Sequence, residues 1–292
     1  MEGARIALCA RYMMLLFLIG ARLCGTRGKR MRSQRRHKSR ATLPAVATTL
    51  VLLPGLDGTE ILFEPLVAAL PQSVRPLVIT YPPAGDNTYA GLLGLARRAL
   101  AGVAECHVLG WSFAGPLALM LAAAEPAKVR GVILAASFVR PPTPLLGMLG
   151  FALAGPPVWL WRAARRAPLW LLRPRSDPLR RAKAQTWGRV AARDVAARLR
   201  AIAGVDVRAL LHACEQPLLY LASTNDAIVP RRNADEVLRL RPATRLVAID
   251  GPHLALFTNP RAAAAAIAEF IGEDARRHQT VTADREYRAA SS

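Results

Sequence analysis

The sequence predicts an α/β fold: a mostly parallel sheet of about six strands flanked by helices, with one long insertion between the fourth and fifth strands. Three observations predict it. Between Thr49 and Ile271, short apolar runs of strand length alternate with amphipathic or Ala/Leu-rich runs of helical length, and such alternation gives a parallel sheet covered on both faces. The alternation is interrupted once, over residues 139–213. Finally, 52% of the 292 residues are hydrophobic, enough for one large core and too many for general disorder.

Taken in order, residues 1–41 form a basic N-terminal segment. Ten uncharged, mostly apolar residues, Tyr12 to Ala21, lie between Arg11 and Arg22, about half of what a bilayer span requires. Residues 27–40 then carry eight cations and no acid. Three readings stay open: a signal-peptide core, although no A-x-A site follows and the basic run resists export; a marginal membrane anchor with its basic side in the cytoplasm; or a start at Met31 or later, the earlier residues not belonging to the working protein. The expected location is the cytoplasm, with weak membrane association through this segment under the second reading.

The domain is expected over 42–272. Its strands are read at Thr49–Leu53, Pro76–Thr80, Cys106–Leu109, Val129–Ala136, Pro217–Ala222 and Arg245–Ile249, and its helices at Ile61–Leu70, Thr88–Ala101, Pro116–Ala124 and from Asn259-Pro260 to about Ile271. The interruption at 139–213 is rich in proline and arginine and holds Trp159, Trp161, Trp170 and Trp187. A polar, unstructured tail is expected over 273–292.

The formal charge of +20 from 40 Lys and Arg against 20 Asp and Glu suggests a nucleic-acid ligand until it is divided along the chain. Residues 1–41 hold 11 cations and one acid, half of the excess, and only four of the 40 cations are lysines. Arginine and alanine are abundant throughout, as GC-rich coding would produce without any ligand, so no nucleic-acid partner is expected. Cys9, Cys24, Cys106 and Cys214 show neither a CxxC pair nor metal-ligand spacing; free thiols in a reducing compartment, and no metal or other cofactor, are the expectation.

The chemistry is concentrated at Gly110-Trp111-Ser112-Phe113-Ala114-Gly115. An apolar strand enters this stretch and an apolar helix leaves it, which puts Ser112 on a sharp strand-to-helix turn. So tight a turn requires small residues two positions either side of the serine, and Gly110 and Ala114 satisfy it. The helix behind Ser112 would aim backbone N–H groups and its positive end at an oxyanion formed there. A serine hydroxyl is too weak a nucleophile alone; it needs an imidazole, and the imidazole needs a carboxylate to fix its tautomer. Asp226, after the apolar run Pro217–Ala222, and His253, after the last strand, would arrive with Ser112 at the strand C-terminal edge where open α/β sheets bind ligands. Asp57 and Asp250 are rival acids, and Asp57 also reads as a turn former with Gly58.

The pattern G-x-S-x-G/A is weak by itself, but with Leu52-Leu53-Pro54-Gly55-Leu56-Asp57-Gly58, Thr224-Asn225-Asp226-Ala227-Ile228-Val229-Pro230 and Gly251-Pro252-His253 the chain resembles the alpha/beta-hydrolase superfamily over about residues 48–272. The order Ser, Asp, His is that superfamily's order. The likeness is to serine carboxylesterases, and Gly-Trp-Ser also occurs in pimeloyl-carrier-protein methyl ester carboxylesterases. The resemblance implies a serine hydrolase acting on a small-molecule ester or thioester through an acyl-enzyme, with Ser112, Asp226 and His253 as the catalytic residues, and it implies that the insertion at 139–213 is a helical cap placing Trp159, Trp161 and Trp170 over the mouth of the site. The backbone N–H groups of Leu56 and Phe113 would form the oxyanion hole, Pro54 standing where relatives often carry His. Trp111 and Asp57 are the candidate substrate-binding residues. Alternatives are a thioesterase or acyltransferase on the same triad, or a non-catalytic hydrolase-like binding protein. Oligomeric state is not legible.

Overall fold

A computed structural model describes residues 47–143 and 177–290. The six strands are β1 (Thr48–Leu53), β2 (Val74–Val78), β3 (Cys106–Trp111), β4 (Val129–Ala135), β5 (Leu218–Asn225) and β6 (Arg245–Pro252). They form one sheet in the order β2-β1-β3-β4-β5-β6, every neighbouring pair parallel. The order reverses between β1 and β3. In an open parallel sheet such a reversal leaves a crevice beyond the strand C-termini, because the following connections leave toward opposite faces.

Parallel strands buried on both faces need apolar residues at both parities, and β1 and β3 have them. Val51, Leu53, Val108, Val132 and Leu134 face one core, packed against α2 (Tyr89–Ala99), α3 (Gly115–Ala124), α6 (Arg208–Ala213) and α7 (Arg232–Leu240). Leu50, Leu52, Leu109 and Ile133 face the other, against α1 (Glu64–Ala69), α8 (Ala255–Thr258) and the first turns of α9 (Pro260–Ala290). Two further helices, α4 (Pro178–Arg189) and α5 (Ala192–Ala203), together with α6, occupy the described part of the segment between β4 and β5. Trp159, Trp161 and Trp170, expected over the site, lie outside the described residues, as does the basic segment. Among the described residues no helix is long and apolar enough to cross a membrane.

Several boundaries differ from expectation. The helix read at Ile61–Leu70 opens as a 3-10 turn, Ile61–Phe63, followed by α1 with a proline in its first turn; Pro65 cannot donate a backbone N–H but fits that position. β5 and β6 run on to Asn225 and Pro252, because polar Ser223 and Asn225 still pair with Ile249 and Pro252; hydrophobicity ends before the ladder does. The tail from Glu273, expected to be unstructured, instead continues α9 to Ala290. No Gly or Pro follows Gly272, helix formers dominate, Glu273 pairs with Arg277 one turn on and with Arg245 of β6, and the carboxylate of Asp274 reaches back to β3 and β4 at His107 and Arg130.

Candidate active site

Ser112 begins a 3-10 turn, Ser112–Ala114, that leads from β3 directly into α3. Its φ is +53°, a left-handed conformation that costs a non-glycine residue about 1–3 kcal/mol and persists only where surroundings over-determine it. Here they do. A Cβ on Gly110 would collide with the Ala114 carbonyl, and one on Gly115 with the Ser137 hydroxyl, so the chain doubles back only because both lack side chains. The Ser112 carbonyl accepts a 2.6 Å hydrogen bond from Ser137 Oγ at the end of β4, and Ser137 in turn exchanges bonds with the Tyr220 hydroxyl of β5, its N–H donating at 3.1 Å and its carbonyl accepting at 2.6 Å. The next carbonyl, Phe113 O, accepts from the Tyr89 hydroxyl at 2.8 Å, with the two rings stacked at 4.8 Å. Two neighbouring strands and a helix therefore clamp the turn.

His253 follows β6 without an intervening loop. Its Nε2 is 2.9 Å from Ser112 Oγ and its Nδ1 is 2.7 Å from Asp226 Oδ2. The other Asp226 oxygen accepts 2.8 Å bonds from the backbone N–H groups of Ile228 and Val229, which fixes the carboxylate's rotamer and leaves Oδ2 aimed at the imidazole. Both side chains are buried. Of the three acids considered from sequence, only Asp226 meets His253. Asp250 is bonded by Thr224 Oγ1 at 3.0 Å, and Asp57 by the N–H and hydroxyl of Thr59 at 3.0 and 2.7 Å.

The loop after β1 borders the same crevice. A Cβ on Gly55 would stand 3.8 Å from Ser112 Cβ, so the loop passes beside the serine at this glycine. Asp57 is the turn former of this loop and also lines the cleft; burial pushes its carboxyl above the usual carboxylate range, against the hydrogen bonds of Thr59 and the charge of Arg198. Trp111 lines the cleft too and packs on Phe63 with ring centroids 5.2 Å apart. Leu62 and Leu254 complete an apolar wall, while Lys183 and Trp187 of α4 contribute from the insertion.

Sequence reasoning missed several supporting groups. Ser137, Tyr89 and Tyr220 act through hydroxyls on backbone carbonyls, and nothing in their sequence neighbourhood separates them from ordinary core or strand-end residues. Arg198, buried to 2% exposure, was hidden among 40 cations. Lys183 was more accessible to reasoning, being one of four lysines and lying in the segment expected to cover the site.

A model of the alpha/beta hydrolase family matches residues 50–267. A pimeloyl-[acyl-carrier protein] methyl ester esterase of Neisseria meningitidis serogroup C is 33% identical over 110 residues, 36% of this chain and 43% of that one; the chain thus spans less than half the length of this curated relative. Among solved structures, a hydrolase from Pseudomonas aeruginosa is similar with a TM-score of 0.63 at 22% identity, covering 77% of this chain and 90% of that one. The esterase EaEST of Exiguobacterium antarcticum is similar with a TM-score of 0.66 at 15% identity, covering 78% and 93%. These structural likenesses speak to the fold, and the family match spans most of the chain, every strand but parts of β1 included: the chain belongs to the alpha/beta hydrolase family.

Proposed function

We propose that this chain is a serine hydrolase that cleaves a carboxylic ester or thioester through an acyl-enzyme on Ser112. The observation that carries the proposal is the relay of 2.9 and 2.7 Å contacts from Ser112 Oγ through His253 to Asp226, at the sheet's reversal point. With Nδ1 protonated toward Asp226, Nε2 accepts the Ser112 proton as Oγ attacks the acyl carbon. The acyl oxygen becomes an oxyanion facing the backbone N–H groups of Leu56 and Phe113, and Asp226 stabilises the imidazolium. Collapse of the adduct breaks the bond to the alcohol or thiol, which leaves with the proton from His253. Water then attacks the acyl-enzyme, giving its proton to His253, and the acid departs as Ser112 regains that proton.

The apolar wall of Leu62, Trp111, Trp187 and Leu254 favours an acyl chain over a small polar acid, and the insertion serves as a cap. Each methylene buried contributes about 0.8 kcal/mol until the pocket is full, after which overpacking reverses the trend. The ester-hydrolysing relative from Neisseria agrees with this class of chemistry. The test is kcat/KM on a p-nitrophenyl ester series, which should rise from acetate to a medium chain and then decline, with every activity lost in Ser112→Ala. Full activity in Ser112→Ala would remove the proposal; a monotonic fall from acetate would remove the acyl-pocket part of it.

A further inference from the structure

Outside the triad, one buried charged cluster takes no part in the chemistry above. Arg198 on α5 is 2% exposed. Its Nη1 donates to the Leu56 carbonyl at 2.8 Å and its Nε to Asn87 Oδ1 at 2.9 Å; its guanidinium carbon stands 5.1 Å from the centre of the Tyr81 ring. Asn87 Nδ2 donates at 3.3 Å to Asp194, one turn earlier on α5, whose carboxylate also accepts from the Ala84 N–H. Gly58, at φ +70°, is where a Cβ would fall 2.7 Å from Arg198 Nη1, so the loop is shaped to admit this guanidinium.

The consequence lies in the Pro54–Thr59 loop. Tyr81 Oη donates to the Pro54 carbonyl at 2.9 Å, the Gly58 N–H donates to the Gly55 carbonyl at 3.0 Å, and Arg198 holds the Leu56 carbonyl. The Leu56 N–H shares its rigid peptide plane with the Gly55 carbonyl that the Gly58 N–H holds, and the bonds to the Pro54 and Leu56 carbonyls restrain the planes before and after it, so together these anchors set where the Leu56 N–H points. Burying a guanidinium is expensive, and an apolar residue would attach α5 to the body at least as well. What an arginine adds is two directed donors in a rigid fork, one of them spent on this loop.

We propose that Arg198 is a positioning residue for the oxyanion loop, so that transition-state stabilisation at Ser112 depends on the helical insertion being seated. The inference rests on the acyl-enzyme reading of Ser112. Its test compares Arg198→Met and Arg198→Lys with the wild type for kcat, KM and affinity for a trifluoromethyl ketone, whose tetrahedral adduct with a serine carries an oxyanion, with circular dichroism and melting curves on each protein. Arg189→Met, which breaks a 2.8 Å contact between α4 and Glu60 without touching the Leu56 carbonyl, controls for loosening the insertion. Folded Arg198→Met should lose about 10- to 100-fold in kcat with KM little changed, the scale of a catalytic group misplaced by a fraction of an ångström to an ångström. Ketone affinity should fall in parallel. Arg198→Lys, which keeps the charge but not the fork, should fall between, and it carries the test should Arg198→Met fail to fold. Arg189→Met should keep wild-type kcat. Wild-type kcat and ketone affinity in the folded Arg198 variants would overturn this inference alone, as would an equal kcat loss in Arg189→Met. A wild type without Ser112-dependent turnover would instead overturn the acyl-enzyme reading and this inference with it.

Discussion

Strand β3 carries the same three kinds of chemical group at both ends. At its C-terminal end are Ser112, with His253 and Asp226; at its N-terminal end are Cys106 and His107, with Asp274 3.3 Å from the imidazole. Only one end brings the three groups within hydrogen-bond distance of one another. Cys106 and His107 are adjacent in a strand, so their side chains point to opposite faces: the thiol joins one core, while the ring packs edge-on against Phe270 in the other layer. The His107–Asp274 contact falls short of hydrogen-bond geometry and is electrostatic. At the other end, the turn at φ +53° lifts Ser112 out of the strand's alternation toward an imidazole delivered from β6. Nucleophile, histidine and carboxylate make a site only where a turn brings them to one point.

Variants at the two ends can break this contrast. The largest effect is expected for Ser112→Ala and His253→Ala, each lowering kcat by about 10⁴-fold or more with little change in melting temperature. Asp226→Asn should cost about 10⁴-fold, because an amide favours the wrong imidazole tautomer; a loss of tenfold or less would show that Asp226 is not the tautomer-setting group. At the N-terminal end the expectation inverts. His107→Leu should leave turnover near wild type while destabilising the fold by about 1 kcal/mol in chemical denaturation, since it removes the imidazole beside the Asp274 carboxylate and leaves Arg130 as its neighbour on the sheet.

A smaller effect concerns acid. Burial would raise the Asp274 carboxyl, but the contact with His107 and the charges of Arg130 and Arg277 outweigh it and hold the group below 3.8. A depressed folded value means the contribution is present above pH 3.8 and is lost as the pH falls through the folded value. The melting-temperature gap between wild type and Asp274→Asn should therefore close below pH 3.8, without altering turnover at neutral pH. The smallest effect is a null one at Cys106, whose thiol burial pushes up to about 11. Iodoacetamide at pH 8 should leave it unmodified in the folded protein and alkylate it in denaturant, read by peptide mass.

The sheet was legible because hydrophobic runs at strand length betray buried parallel strands, and the turn at Ser112 was legible because Gly110 and Ala114 answer a steric demand visible in one dimension. The choice among Asp57, Asp226 and Asp250 was not legible from spacing alone and rested on the resemblance, since all three lie at or near a strand's C-terminal end; in the structure Asp226 is the one whose carboxylate two backbone N–H groups leave facing His253. Arg198 could not be found either, because its role depends on a contact across 142 residues. The continuation of α9 escaped for a simpler reason: a polar segment with no apolar stripe reads as a tail, although charge pairs to β3, β4 and β6 hold its beginning in place.

The measurement that bears most directly on the contrast is fluorophosphonate labelling of three proteins, followed by intact and peptide mass. Wild type and His107→Leu should each take up one adduct, on Ser112, at similar rates, whereas His253→Ala should remain unlabelled on the same timescale. Labelling of His253→Ala at the wild-type rate, or an adduct anywhere but Ser112, would contradict the account.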